Sequence, residues 1–79
     1  MDVAEKSAIR NFIMESCDAA QLADDCDIFE TGMANSIFAI ELISFIESES
    51  SVKVTTDDLD MTNFNSVNAI ERFLERKRA

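Results

Sequence analysis

Gly32-Met33-Ala34-Asn35-Ser36-Ile37-Phe38-Ala39-Ile40-Glu41-Leu42 changes character at its middle. Before Asn35 runs a polar loop with the chain's only glycine, and after Ser36 an apolar pattern with helical spacing begins at once. Asparagine favours the N-cap, so the Ser36 hydroxyl falls in the first turn of a helix. Backbone N–H groups lack intrahelical partners there, and the helix dipole favours negative charge. A phosphodiester attached to Ser36 would lie in that favourable field.

From this boundary the spacing predicts a helix to about Glu49, with Ala39, Leu42, Ile43 and Ile46 as its buried stripe and Glu41, Ser44 and Ser48 on its wet face. Ile37, Phe38 and Ile40 crowd its start and cannot all face inward. Either some of them form an apolar contact patch beside Ser36, or the preceding loop folds over them. That loop, Asp18 to Ala34, is kept solvated by Asp24, Asp25, Asp27 and Glu30, while Ile28 and Phe29 pin it to the core. A connection this long in a small domain is usually functional.

Upstream, Ile9, Phe12, Ile13 and Cys17 share one helical face, which predicts a helix from Val3 to Cys17. Asp2 is its expected N-cap, with Glu5 three residues on as in a capping box. Downstream, Val52-Lys53-Val54 reads as a short extended link. Thr56, Asp57 and Asp58 start a single helical turn carrying Leu59, and Met61 and Phe64 follow as apolar anchors. Ser66 caps the last helix, whose inner face is Val67, Ile70, Phe73 and Leu74. Arg72, Arg76, Lys77 and Arg78 gather toward its C-terminus, where cations suit the dipole. The expected architecture is all-α: a small four-helix bundle of three longer helices and one short one, forming a single domain over residues 1–79.

Charge removes several functions. The chain has 7 basic and 16 acidic residues, a net charge of −9. Nucleic acid is a poor partner, because phosphate binding needs clustered lysines and arginines. Anionic membrane surfaces are disfavoured in the same way, and no apolar run approaches the ~18 residues of a membrane span. Basic proteins are the expected partners, with steering at long range. The polar, acidic start of the chain does not read as a signal peptide. Cys17 and Cys26 form no CxxC pair and read as ordinary thiols of a reducing cytoplasm.

Catalysis by the protein itself is not expected. There is no histidine to activate Ser36 as a nucleophile. An EF-hand loop starting at Asp25 would need glycine at its sixth place and glutamate at its twelfth, where this chain has Glu30 and Ser36. No metal site is therefore assigned.

The chain resembles the acyl carrier proteins over nearly its whole length. The resemblance rests on the acidic loop with Asp27, Phe29 and Gly32, and on Asn35-Ser36 opening the second helix. Glu41-Leu42, Ile46-Glu47, Asp58-Leu59 and Asn63-Phe64-Asn65-Ser66-Val67 extend it. In that family a serine in a Gly-x-Asp-Ser-Leu type motif receives 4′-phosphopantetheine. The resemblance implies that Ser36 carries this arm, that acyl groups ride on it as thioesters, and that the protein is a monomeric carrier and not an enzyme. The implied partners are a phosphopantetheinyl transferase and an acyl-loading enzyme, acyltransferase or synthase with a basic docking surface. Asn35, Ile37, Phe38, Ile40, Glu41 and Glu47 are the implied recognition residues.

Two departures matter. Asn35 replaces the usual Asp, so it offers no carboxylate to the divalent metal that accompanies pantetheinyl transfer. Ser50 and Ser51 replace the aromatic and acidic positions common after the second helix, which predicts a slightly frayed end there. Asn-Ser-Ile-Phe-Ala, with Asn-Phe before the last helix, is similar to discrete carriers of polyketide extender units such as hydroxymalonyl and methoxymalonyl groups. Aminoacyl, peptidyl and D-alanyl carriers share the architecture and the type of serine. An unmodified acidic helical adaptor, or a small cation-binding protein, would be alternatives of another class.

Overall fold

A computed structural model describes residues 3–32 and 35–78. Three α-helices organise it: α1 (Val3–Ser16), α2 (Ser36–Ser50) and α3 (Val67–Arg78). Among the described residues there is no strand. The short helical turn expected from Thr56 is a 3₁₀ turn, Thr56–Asp58, and a second 3₁₀ turn, Met61–Asn63, follows it. The cause is local. Asp58 accepts hydrogen bonds from the Thr55 amide and hydroxyl at 3.0 and 2.9 Å, and Asp60 accepts from the Thr62 amide and hydroxyl at 3.0 and 2.8 Å. The Thr55–Asp58 pair is a capping box that starts the first turn, and Asp60 caps the second, so the segment is divided into two separate turns.

The core is built from helical spacing. Ile9 and Ile13 of α1, Phe38, Leu42 and Ile46 of α2, and Val67, Ile70, Phe73 and Leu74 of α3 are buried together with Ile28 and Phe64. Each set steps by three or four residues, the period that places side chains on one helix face. Phe64 meets Phe73 edge-on at 5.0 Å between ring centres, and Phe12 stacks on Phe45 at 4.2 Å. Ala39 and Ile43 lie half-buried beside the α2 stripe. Met61, expected as an anchor, is 49% exposed, because its turn is tied down by polar bonds and Phe64 alone enters the core.

The end of α2 is capped, not frayed. Ser51 adopts the left-handed conformation (φ 59°) and its N–H donates to the Glu47 carbonyl at 3.0 Å. Buried Ser50 donates its hydroxyl to the Ile46 carbonyl and accepts from the Val52 N–H at 3.2 Å. The two serines thus close the helix by satisfying carbonyls that would otherwise be orphaned. The start of α3 is capped as expected, with Ser66 Oγ accepting from the Ala69 N–H at 3.0 Å. The proposed Asp2 cap of α1 lies outside the described residues.

The helices α1 and α2 run in opposite directions. Ser16, ending α1, shares a groove with Asn35 and Ile37, which begin α2. At the other end Arg78, closing α3, donates to Glu5 of α1 and to the Ser50 carbonyl of α2. One end of the molecule therefore gathers three helix ends, and the other presents Ser36.

Candidate functional site

Ser36 opens α2 and is exposed. Among the described residues its hydroxyl has no hydrogen-bond partner. The cap before it is made by Asn35, which is extended (φ −126°, ψ −178°) and accepts the Phe38 N–H on its side-chain oxygen at 2.9 Å. The Asn35 carbonyl then accepts the Ala39 N–H at 3.0 Å, the first regular bond of the helix. A cap of this kind contributes about 1 kcal/mol and fixes the direction of the first turn. Ser36 is thereby placed at the positive end of the helix dipole with its oxygen open to solvent.

The loop leading to it is ordered by polar contacts to α1 and α3. Asp27 accepts the Phe29 and Glu30 amides on one carboxylate oxygen at 3.0 and 2.9 Å. Its carbonyl accepts from the Thr31 N–H and hydroxyl at 3.1 and 2.9 Å. Gly32 follows with φ +80°, a conformation that favours glycine. Its N–H donates to the Phe29 carbonyl at 3.2 Å. Ile28 is fully buried and Phe29 is half-buried against the core, as the sequence predicts. Asp24 pairs with Lys6 at 3.2 Å and with Arg10, both on α1, and Lys6 also reaches Glu71 of α3 at 3.5 Å. The Arg10 guanidinium, then Lys6, holds the Asp24 carboxyl below the usual carboxylate range. The same contact holds the Lys6 ammonium above its ordinary value.

The residues expected to recognise partners divide. Ile37 and Ile40 are 70% and 71% exposed and form the apolar patch beside Ser36. Phe38 does not belong to that patch. It is 8% exposed and sits in the core line with Leu42 and Ile46. Four-residue steps from Ile46 through Leu42 carry the inner face to position 38, leaving 37 and 40 outside. Glu41 is exposed beside the patch. It borders the groove of about 310 Å³ lined by Ser16, Asn35, Ile37 and Phe38. It also borders a larger open groove of about 560 Å³ lined by Phe12, Ile40, Ser44, Phe45 and Ser48. Glu47 is half-buried and is engaged within the fold, accepting the Val54 N–H at 2.9 Å. That bond holds the extended link against α2.

Between Arg10 and Lys53 the sequence contains no lysine or arginine. The cations that pair with the loop come from α1, and those of α3 serve the opposite end. Lys77 pairs with Asp58 at 2.8 Å and Arg76 donates to Asn63 at 2.7 Å. The stretch that carries Ser36 and Glu41 therefore has acidic residues and no basic residue of its own. Cys17 and Cys26 are unpaired thiols, and burial pushes the Cys17 thiol up. Among the described residues no three acid or thiol side chains converge to hold a metal ion, and no helix is long and apolar enough to cross a membrane.

Three structural participants escaped the sequence reading. Asn65, Lys6 and Arg10 anchor the loop, yet each looks like an ordinary surface residue in the sequence. Only their arrival beside Asp24 and Asp27 in the folded chain gives them that role. No protein-family model matches the chain, and a search of curated proteins finds no significant match.

Proposed function

We propose that this chain is an acyl carrier protein whose Ser36 bears 4′-phosphopantetheine. The observation that carries the proposal is the exposed Ser36 hydroxyl at a capped helix start, beside an exposed Ile37–Ile40 patch and Glu41. The residues fit the group: the phosphodiester would face the helix dipole, and no side chain encloses the oxygen. In the transfer, Ser36 Oγ bonds to the phosphorus of coenzyme A that bears the pantetheine, the pyrophosphate link breaks and the nucleotide leaves. The transferase takes the hydroxyl proton, since this chain has no histidine to do so. The arm supplies a thiol for thioester formation, and the protein supplies address and mobility.

In this reading the two 3₁₀ turns stand where the four-helix carrier architecture has its short helix. The partners are a phosphopantetheinyl transferase and a loading enzyme, acyltransferase or synthase with basic docking surfaces, met in the cytoplasm by a monomer. The Asn-Ser-Ile-Phe-Ala stretch favours a carrier of hydroxymalonyl- or methoxymalonyl-type polyketide extender units over an aminoacyl or D-alanyl carrier.

Intact-mass measurement tests the proposal. Incubation with coenzyme A, magnesium and a broad-specificity transferase should add one phosphopantetheinyl group to the wild type and none to Ser36→Ala. An unmodified wild type would favour an unmodified acidic adaptor. A modified Ser36→Ala protein would move the arm to another hydroxyl.

A further inference from the structure

The loop before Ser36 is tied to the start of α3 by a reciprocal clasp. Asn65 Nδ2 donates to Asp27 Oδ2 at 3.3 Å, and the Asn65 carbonyl accepts the Ile28 N–H at 2.8 Å. A second tie lies beside it, with the Asn68 N–H donating to the Asp24 carbonyl at 2.9 Å. Asp27 is the hub of the loop. Its other carboxylate oxygen and its carbonyl hold residues 29–31, so one residue links this part of the loop to Asn65, just before α3. Asn65 immediately precedes Ser66, the cap of α3, so the clasp joins the loop to a helix start that is far away in sequence.

We infer that Asp27 and Asn65 form a positioning pair for modification at Ser36, pre-organising the loop that a transferase must engage. This rests on the carrier reading. The physical basis is the cost of ordering. A loop already held in its bound path loses less entropy on docking, and a loop held only part of the time binds in proportion to its competent fraction. The core does not need the pair for its apolar contacts, since Ile28 is anchored by burial in any case. What the pair adds is the path of residues 29–32.

The test exploits the chemistry of the pair. Asn65→Asp sets two carboxylates against each other and breaks the side-chain half of the clasp. Adding Asp27→Asn restores it with donor and acceptor exchanged, and the asparagine oxygen can still accept from Phe29 and Glu30. Asn11→Asp, on the exposed side of α1, matches the charge change of the single variant. Steady-state pantetheinyl transfer is measured for all four proteins, with hydrogen exchange at the Thr31 and Gly32 amides. Asn65→Asp should raise KM about tenfold, with kcat within about twofold, and should lose protection at both amides. The double variant should recover both within about threefold, and Asn11→Asp should resemble wild type.

A wild-type KM in Asn65→Asp, or a double variant no better than the single, overturns the positioning role while leaving the carrier reading intact. A fall in kcat that follows the fraction unfolded would make the pair a stabilising contact only, and also overturns it. A wild type that accepts no arm overturns both, and the exchange data then still show whether the clasp orders the loop.

Discussion

Arg78 and Glu5 are 73 residues apart in sequence, yet they meet through two hydrogen bonds of 2.8 and 2.7 Å. The same guanidinium donates to the Ser50 carbonyl at 2.9 Å, so one side chain joins α1, α2 and α3. Forked pairing of arginine with carboxylate is the strong form of a surface ion pair.

Arg78→Ala should therefore cost about 1 kcal/mol, above the usual value for an exposed pair. In a domain of this size that is a drop of roughly 4–8 °C in Tm. Arg78→Lys should recover only part of it, because an ammonium cannot reproduce the fork. Thermal unfolding of the three proteins checks this, and an unchanged Tm in Arg78→Ala would reduce the contact to ornament.

The cap at α2 makes a second prediction. Asn35→Ala should cost about 1 kcal/mol, since the Phe38 N–H loses its acceptor. Asn35→Asp should keep the cap and the fold. It should also raise the rate of pantetheinyl transfer if a carboxylate at this position helps hold the metal. Rates indistinguishable from wild type across a magnesium series would remove that role from position 35.

Glu41 and Glu47 should behave differently although both are acids of α2. Glu47→Ala leaves the Val54 N–H without its carboxylate and should cost on the order of 1 kcal/mol. Glu41→Lys should change stability by less than about 0.5 kcal/mol. It should slow association with a basic transferase and flatten the dependence of that rate on salt, because screening acts over about 8 Å near physiological ionic strength. Stopped-flow association at low and high salt reads the second effect. Equal slopes for wild type and Glu41→Lys would leave docking to Ile37, Ile40 and the arm.

Acid should reveal Asp58. The Lys77 ammonium, with the Thr55 amide and hydroxyl, holds this carboxyl down to about 2. A carboxyl whose folded pKa lies below its unfolded value of about 3.9 stabilises the fold above that unfolded value. The contribution is lost as pH falls through the folded value. Urea midpoints measured between pH 5 and pH 2 should therefore decline less steeply in Asp58→Asn than in wild type. Parallel curves would show that the Lys77 contact carries no net stability.

Local patterns made much of this fold legible. The three long helices, the Asn35 and Ser66 caps and the anchoring of the loop by Ile28 all follow from spacing and from residues that act on near neighbours. Phe38 was harder, because Ile37, Phe38, Ala39 and Ile40 are all apolar and both faces of the first turn look equally fit for burial. The line through Leu42 and Ile46 settles it only once packing against α1 selects that face. The short fourth helix is met as a single 3₁₀ turn at Thr56–Asp58, while the second turn, started by the Asp60 cap, had no separate signal. The Asp24 and Asp27 contacts had no pattern to announce them. Their partners lie on α1 and before α3, and only assembly brings them together.

The gathering of three helix ends around Arg78 also has a practical use. α2 has 15 residues, so at ~1.5 Å rise per residue its two ends are about 21 Å apart. Glu5 and Arg78 lie at the Ser50 end, and Ser36 lies at the other. A fluorophore or a surface anchor attached beside Glu5 or Arg78 would hang from the pole farthest from the serine. The molecule can thus be held from the Glu5–Arg78 pole on a sensor chip with the Ser36 hydroxyl turned toward the solution.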